Sequence, residues 1–172
     1  MKNWFYEQMA MYSAYHRDGR NQATHHVGVP MIVFSVLVIT STIPLATTAA
    51  GPITVGAALM AALVLFYIIS APLVGTIAAL LYGALAYGAA QIAAMGGSVP
   101  MTVFLTLFIV GWIIQLWGHV YEGRKPALFD NILQIFMAPS FLIAELLFMA
   151  GLEEGLHAEI QSRMPKYLPK EG

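Results

Sequence analysis

The chain has no cysteine among its 172 residues. Disulfides, thiolate metal sites and cysteine nucleophiles are therefore excluded, and the redox compartment is left unmarked. Charge is the second scarcity. Only 10% of the residues are charged, against about 25% in an ordinary globular domain, and residues 21–121 contain no Asp, Glu, Lys or Arg at all. A water-soluble protein must keep most of its surface wet, so a stretch of that length without charge has lipid as its natural solvent. The net charge of -1 excludes a strongly basic face and, with it, nucleic acid as a partner. Internal repeats are not evident. The N-terminal MKNWFYEQMAMYSAYHR has neither an uninterrupted apolar core nor a small-residue cleavage site, so it reads as a helix rather than a signal peptide.

What is present is apolar: 59% of the chain is hydrophobic. A bilayer crossing takes about 20 such residues, and Pro and Gly divide the uncharged block into four candidates, at about Val29–Ala46, Ile53–Ser70, Leu73–Met95 and Pro100–His119. Pro30 opens the first, as proline is tolerated at a helix start. TTAAGP forms the link to the second, and Gly75, Ala79, Gly83 and Ala86 suggest close packing along the third. The expected fold is a single all-α membrane domain over 1–172. It comprises an N-terminal interfacial helix and ligand segment (1–28), four transmembrane helices (29–119), and a C-terminal segment (120–172) of re-entrant or interfacial half-helices. The N-terminal helix repeats Trp4, Phe5, Met9, Tyr12 and His16 at helical spacing. In the last segment, Asp130, Glu145 and the Ala138-Pro139 break argue against a fifth crossing, as does the basic tail at Arg163, Lys166 and Lys170. Lys2, Arg17 and Arg20 precede the first span and Arg124 and Lys125 follow the fourth. The positive-inside rule makes their shared face cytoplasmic. The host membrane would be a bacterial inner membrane, or the endoplasmic reticulum in a eukaryote.

An even number of crossings brings His16, His25 and His26, just before the first span, to the same interface as His119 and Glu122 at the end of the fourth. Gln115, His119 and Glu122 share one helix face, as do Asn21 and His25 if that turn is helical. Asp18-Gly19 is a turn signal that would fold the N-terminal helix back toward His25. Neutral imidazole is the commonest metal ligand among side chains, and three His with a carboxylate suit Fe(II), Zn(II) or Mn(II). Taken singly, His26 and His157 are ordinary interfacial or solvated polar residues. Glu122 has a competing reading as a surface partner of Arg124 or Lys125. Glu145, within FLIAELLF, is a functional candidate because an ionisable group among apolar neighbours is costly; it would ligate the metal or orient a ligating His. The Met residues and the aromatic groups Phe66-Tyr67, Trp112 and Trp117 read as lipid-facing or packing side chains.

YHRDGRNQATHHVGVP, with Tyr-His, Asn21, His25 and Pro30, and GWIIQLWGHVYEGRKPALFDN, followed by Gln134, Ala138-Pro139, Phe141 and Glu145, resemble the two signatures of the Mpo-like family of small polytopic membrane proteins. That family includes the fungal endoplasmic-reticulum Fe(II)-dependent 2-hydroxy fatty acid dioxygenase of phytosphingosine catabolism. The resemblance covers nearly the whole chain. It implies an oxidoreductase that takes a long-chain 2-hydroxy fatty acid and O2 at the bilayer surface and gives a fatty acid one carbon shorter. By position it implies His16, His25 and His119 as catalytic metal ligands with Glu122. Asn21, Gln115, Arg124, Asn131 and Glu145 would support the ligands or the substrate. His26 and His157 have no place in it. Arg17, Arg20, Arg124 and Lys125 are available to steer an anionic headgroup.

Three other readings remain. A metal-dependent membrane lipid hydrolase would use metal-bound water. A haem protein would need His pairs facing each other inside the bundle. A non-catalytic scaffold or small transporter is disfavoured as a transporter, since polar residues are scarce at mid-membrane depth.

Overall fold

The computed structural model describes residues 1–49 and 51–169; Lys170 and the centre of the TTAAGP link at residue 50 lie outside them. Helix α1 (Lys2–Ala14) is followed by a four-residue turn and then α2 (Gly19–Thr40). Asp18 starts α2 by accepting the Arg20 backbone N–H at 2.8 Å, the usual way an Asx side chain satisfies a free helix-end donor. The first membrane helix therefore begins ten residues before the expected Val29, and Pro30 lies inside it. Residues 20–26, expected as a ligand segment ahead of the first span, are part of this helix, which the Asp18 cap starts. The helix also stops at Thr40, short of the expected Ala46. Beyond it an antiparallel hairpin, β1 (Pro44–Thr48) and β2 (Gly51–Thr54), takes the place of an irregular link.

Helix α3 (Val55–Ser70) starts under a Thr54 side-chain cap and stops before Pro72. Helices α4 (Pro72–Ala94) and α5 (Val99–Glu122) follow. Among the described residues three helices, α2, α4 and α5, are long and apolar enough to cross a membrane. With 16 residues, α3 spans about 24 Å at 1.5 Å per residue, so it falls short of the expected second crossing by length alone. It nevertheless traverses the bundle: Gly56 abuts Thr40 and Ser41 at one end, and Tyr67 meets Phe5 of α1 and donates to the Phe136 carbonyl at the other. Large apolar side chains point outward along these helices, Leu80 at 71% exposure and Ile113 at 58% among them. Such a contiguous apolar exterior is what a lipid-facing surface requires.

The closest helix packing differs from expectation. On α4, Gly75 does meet the last turn of α3, but Gly83 faces outward with nothing within 4 Å. Small residues serve the α2–α5 seam instead. A Cβ on Gly28 would lie 2.7 Å from Gln115 Cγ, and one on Gly118 would lie 2.0 Å from Thr24 Oγ1 and 2.5 Å from Asn21 Oδ1. Pairing Gly28 with Gly111 and Thr24 with Gly118 makes the two helices antiparallel and places His25 and His119 at one end.

After α5, Gly123 adopts a left-handed conformation (φ 65°) that stops the helix. Two 3-10 turns, Ala127–Phe129 and Ile132–Phe136, lead into α6 (Ala138–Met149), and α7 (Glu154–Arg163) completes the helices. At 12 residues, α6 is about 18 Å long, too short for a fifth crossing. Pro139 sits in its first turn, where the missing N–H costs nothing, and residues 138–144 are buried without a break. Phe5 and Met9 bury α1 against this end of the bundle; Trp4 is 44% exposed. Arg163 of α7 and Lys166 of the 3-10 turn that follows it both reach Glu7 of α1.

Candidate metal centre

His16, His25 and His119 come together. One ring nitrogen from each lies within 4.8 Å of the others, and all three residues are buried. His16 arrives from the turn after α1, His25 from the first turns of α2, and His119 from the last turn of α5. The orientation of two of these rings is fixed by elementary hydrogen bonding. His16 Nδ1 lies 2.7 Å from the Tyr12 carbonyl and His25 Nδ1 lies 2.9 Å from the Asn21 carbonyl. A carbonyl only accepts, so both Nδ1 atoms carry the proton and donate. That leaves two Nε2 lone pairs facing each other at 3.2 Å.

Two unprotonated nitrogens at that distance repel unless a proton or a cation lies between them. Protonation is disfavoured, because burial, followed by the nearby His25, pushes the His16 imidazole well below its ordinary value. A metal ion bound by both nitrogens at about 2.1 Å would hold them about 3.0–3.4 Å apart, which matches the observed gap. The third ring adds a buried Nδ1 with no hydrogen-bond partner. Tyr12 stacks on His16 with ring centroids 3.9 Å apart, holding its plane. The three residues thus fit a divalent metal of the kind imidazole favours.

The remaining residues expected at the site take other tasks. Glu122 stands outside the cluster: its carboxylate accepts the backbone N–H groups of Arg17 at 3.0 Å and Asp18 at 2.9 Å, and the Asn21 amide at 3.0 Å. It pins the turn carrying His16 to the helix carrying His119, and its expected partners Arg124 and Lys125 are engaged elsewhere. Arg124 donates to the Ala14 and Tyr167 carbonyls and lies over the Tyr15 ring. Lys125 pairs with Asp130, and Arg20 with Asp18. Of the four cations offered for headgroup steering, Arg17 alone has no acceptor for its side chain among the described residues. Glu145 is not with the metal candidates either. It faces His26 at 4.0 Å across a separate cleft of about 670 Å3 that also reaches His157. Burial raises its carboxyl to about 8.

Above the three histidines lies a small cavity of about 60 Å3, bounded by Gln115 and Gln134 and by the apolar side chains of Val29, Ile32, Val33 and Trp112. Gln115 was expected here. Tyr12 and Gln134 were named only in the helical repeat and the second signature, not as site residues, although Gln134 is the lone polar residue in ILQIF; Gln8 was not named. Asn131, expected near the site, lies one contact further out, where its amide donates to Gln8 at 2.7 Å.

The profile of the family described as 2-hydroxy-palmitic acid dioxygenase Mpo1-like matches residues 2–150. The chain belongs to this Mpo1-like family. One curated relative is the 2-hydroxy-palmitic acid dioxygenase MPO1 of Saccharomyces cerevisiae. It is 32% identical over 158 residues, which is 90% of this chain and 86% of the relative. No solved structure matches the chain. Membership in the Mpo1-like family covers α1 to α6 and therefore all three histidines and both amides at the cavity.

Proposed function

We propose that the protein is a membrane-embedded Fe(II)-dependent dioxygenase that converts a long-chain 2-hydroxy fatty acid and O2 into a fatty acid one carbon shorter. The observation that carries this reading is the pair of Nε2 lone pairs of His16 and His25, fixed face to face beside His119 in a chain of the Mpo1-like family. Atoms balance if C1 leaves as CO2 and the two displaced hydrogens leave in water. The chemistry supplied by bound iron is activation of O2, which no side chain performs.

The protein's own residues bind, orient and shield. His16, His25 and His119 would hold the metal. Glu122 and Asn21 position His16, and Tyr12 keeps its ring plane. The small cavity admits the carboxylate and 2-hydroxyl, while Val29, Val33 and Trp112 meet the first methylenes and exclude water. The rest of the acyl chain, too long for about 60 Å3, extends into lipid. Arg17 attracts the anionic headgroup to the surface. In this reading α2 to α5 make four crossings and the end bearing the histidines is cytoplasmic.

Metal analysis of anaerobically purified protein, followed by product detection with 2-hydroxypalmitate and O2, tests the reading. Iron near one equivalent and an oxygen-dependent C15 acid are expected; His119→Ala should abolish both. Zinc in place of iron with oxygen-independent turnover would favour the hydrolase instead. Normal iron content in the variant would remove His119 from the site.

A further inference from the structure

The amide of Gln134 is 1% exposed, yet its Oε1 has no hydrogen-bond partner. A buried acceptor left unpaired is costly, and this one belongs to a residue lining the cavity beside the three histidines. Its orientation is not free. The Leu133 backbone N–H donates to Asn131 Oδ1 at 3.1 Å, which turns the Asn131 NH2 toward Gln8. Gln8 must answer with its carbonyl, at 2.7 Å. The same Gln8 oxygen then receives the Gln134 NH2, also at 2.7 Å. Three amides in series are thus set by one backbone N–H, and the last presents its oxygen away from Gln8.

We propose that Gln134 is a specificity-determining residue whose side-chain carbonyl accepts the 2-hydroxyl proton of the substrate. This rests on the dioxygenase reading above. A fatty-acid carboxylate is acceptor-only at neutral pH, so it gives Gln134 nothing. The 2-hydroxyl is the one donor that distinguishes a 2-hydroxy acid from an unsubstituted one. A site built to pair with a hydroxyl discriminates strongly against the analogue that lacks it, since the buried partner is then left empty.

The test compares dissociation constants for 2-hydroxypalmitate and palmitate on the iron-loaded, oxygen-free protein, measured by isothermal titration calorimetry. Wild type should prefer the hydroxy acid by at least about tenfold, the effect of about 1.4 kcal/mol. Gln134→Met should lose most of that preference through weaker 2-hydroxypalmitate binding, with palmitate unchanged or tighter and iron content normal. Gln8→Glu keeps an acceptor for both neighbouring amides and should retain the preference; Gln8→Met releases the lock and should reduce it. A merely structural role would weaken both ligands alike, and that result, or an unchanged ratio in Gln134→Met, overturns the proposal. A wild type that binds neither acid and makes no shortened product would instead sink the dioxygenase reading.

Discussion

His16 is held from three directions, and the least obvious of them is Glu122. Its two oxygens take two consecutive backbone N–H groups, those of Arg17 and Asp18, and a side-chain amide. A carboxylate so occupied is a fastener between the His16 turn and α5, and partners of this kind commonly tune metal affinity by about 10–100-fold. Replacing Glu122 by Ala should therefore weaken iron binding by that order while full stoichiometry returns at saturating metal. Loss of a ligand behaves differently, with sites left empty at any practical concentration. Titration of the Glu122→Ala variant with Fe(II) under anaerobic conditions separates the two, and an unfillable site would restore Glu122 to the ligand set. The meeting of His16, His25 and His119 was legible in the sequence because span ends and i, i+4 spacing can be read directly from the residue pattern. The task of Glu122 was not, since it depends on which backbone amides a turn leaves unpaired.

Helix α6 carries one ionisable side chain on an otherwise apolar element, and that residue makes the helix sensitive to pH. Burial raises the Glu145 carboxyl to about 8 in the folded protein, from an ordinary 4.5. Below the ordinary value both folded and unfolded chains are protonated and nothing changes. Between the two values unfolding releases a proton, so stability falls as pH rises, and the loss is complete above the folded value. Glu145→Gln removes the titration while keeping the shape. Its melting temperature in detergent should match wild type near pH 5 and exceed it by several degrees near pH 8. A variant less stable than wild type at neutral pH would mean that an ionised Glu145 paired with His26 is what holds the cleft. At this scale the sequence was a partial guide. It anticipated that this segment holds only a short helix, because Pro139 and two carboxyl groups leave too little uninterrupted apolar length. It misplaced the start of α2, because a span is counted from where the polar residues end, whereas the Asp18 cap starts the helix before them. The hairpin at 44–54 escaped because its strands bury almost nothing and so impose no alternating pattern.

For the whole molecule, the decisive quantity is the side on which each end of the bundle lies. All eight Lys and Arg residues fall outside 21–121, and the described ones join α1, α7 and the ends of α2 and α5, far from the hairpin. Basic residues near membrane helices stay on the cytoplasmic side. The hairpin end, which has none, should therefore face outward, with α3 completing its crossing with help from the adjoining hairpin despite its 16 residues. The absence of cysteine makes this directly measurable, since any introduced thiol is the only one. Thr47→Cys in β1 and Gln161→Cys in α7 both sit at exposed positions. On intact cells a membrane-impermeant maleimide should modify position 47 and spare position 161; after permeabilisation both should react. Labelling of both from outside would put the two ends of the bundle on one side, and four traverses with a cytoplasmic metal centre would no longer describe the chain. Labelling of 161 alone would keep the four traverses and invert the protein, moving the histidines, and the surface from which a 2-hydroxy acid must approach them, to the outer face.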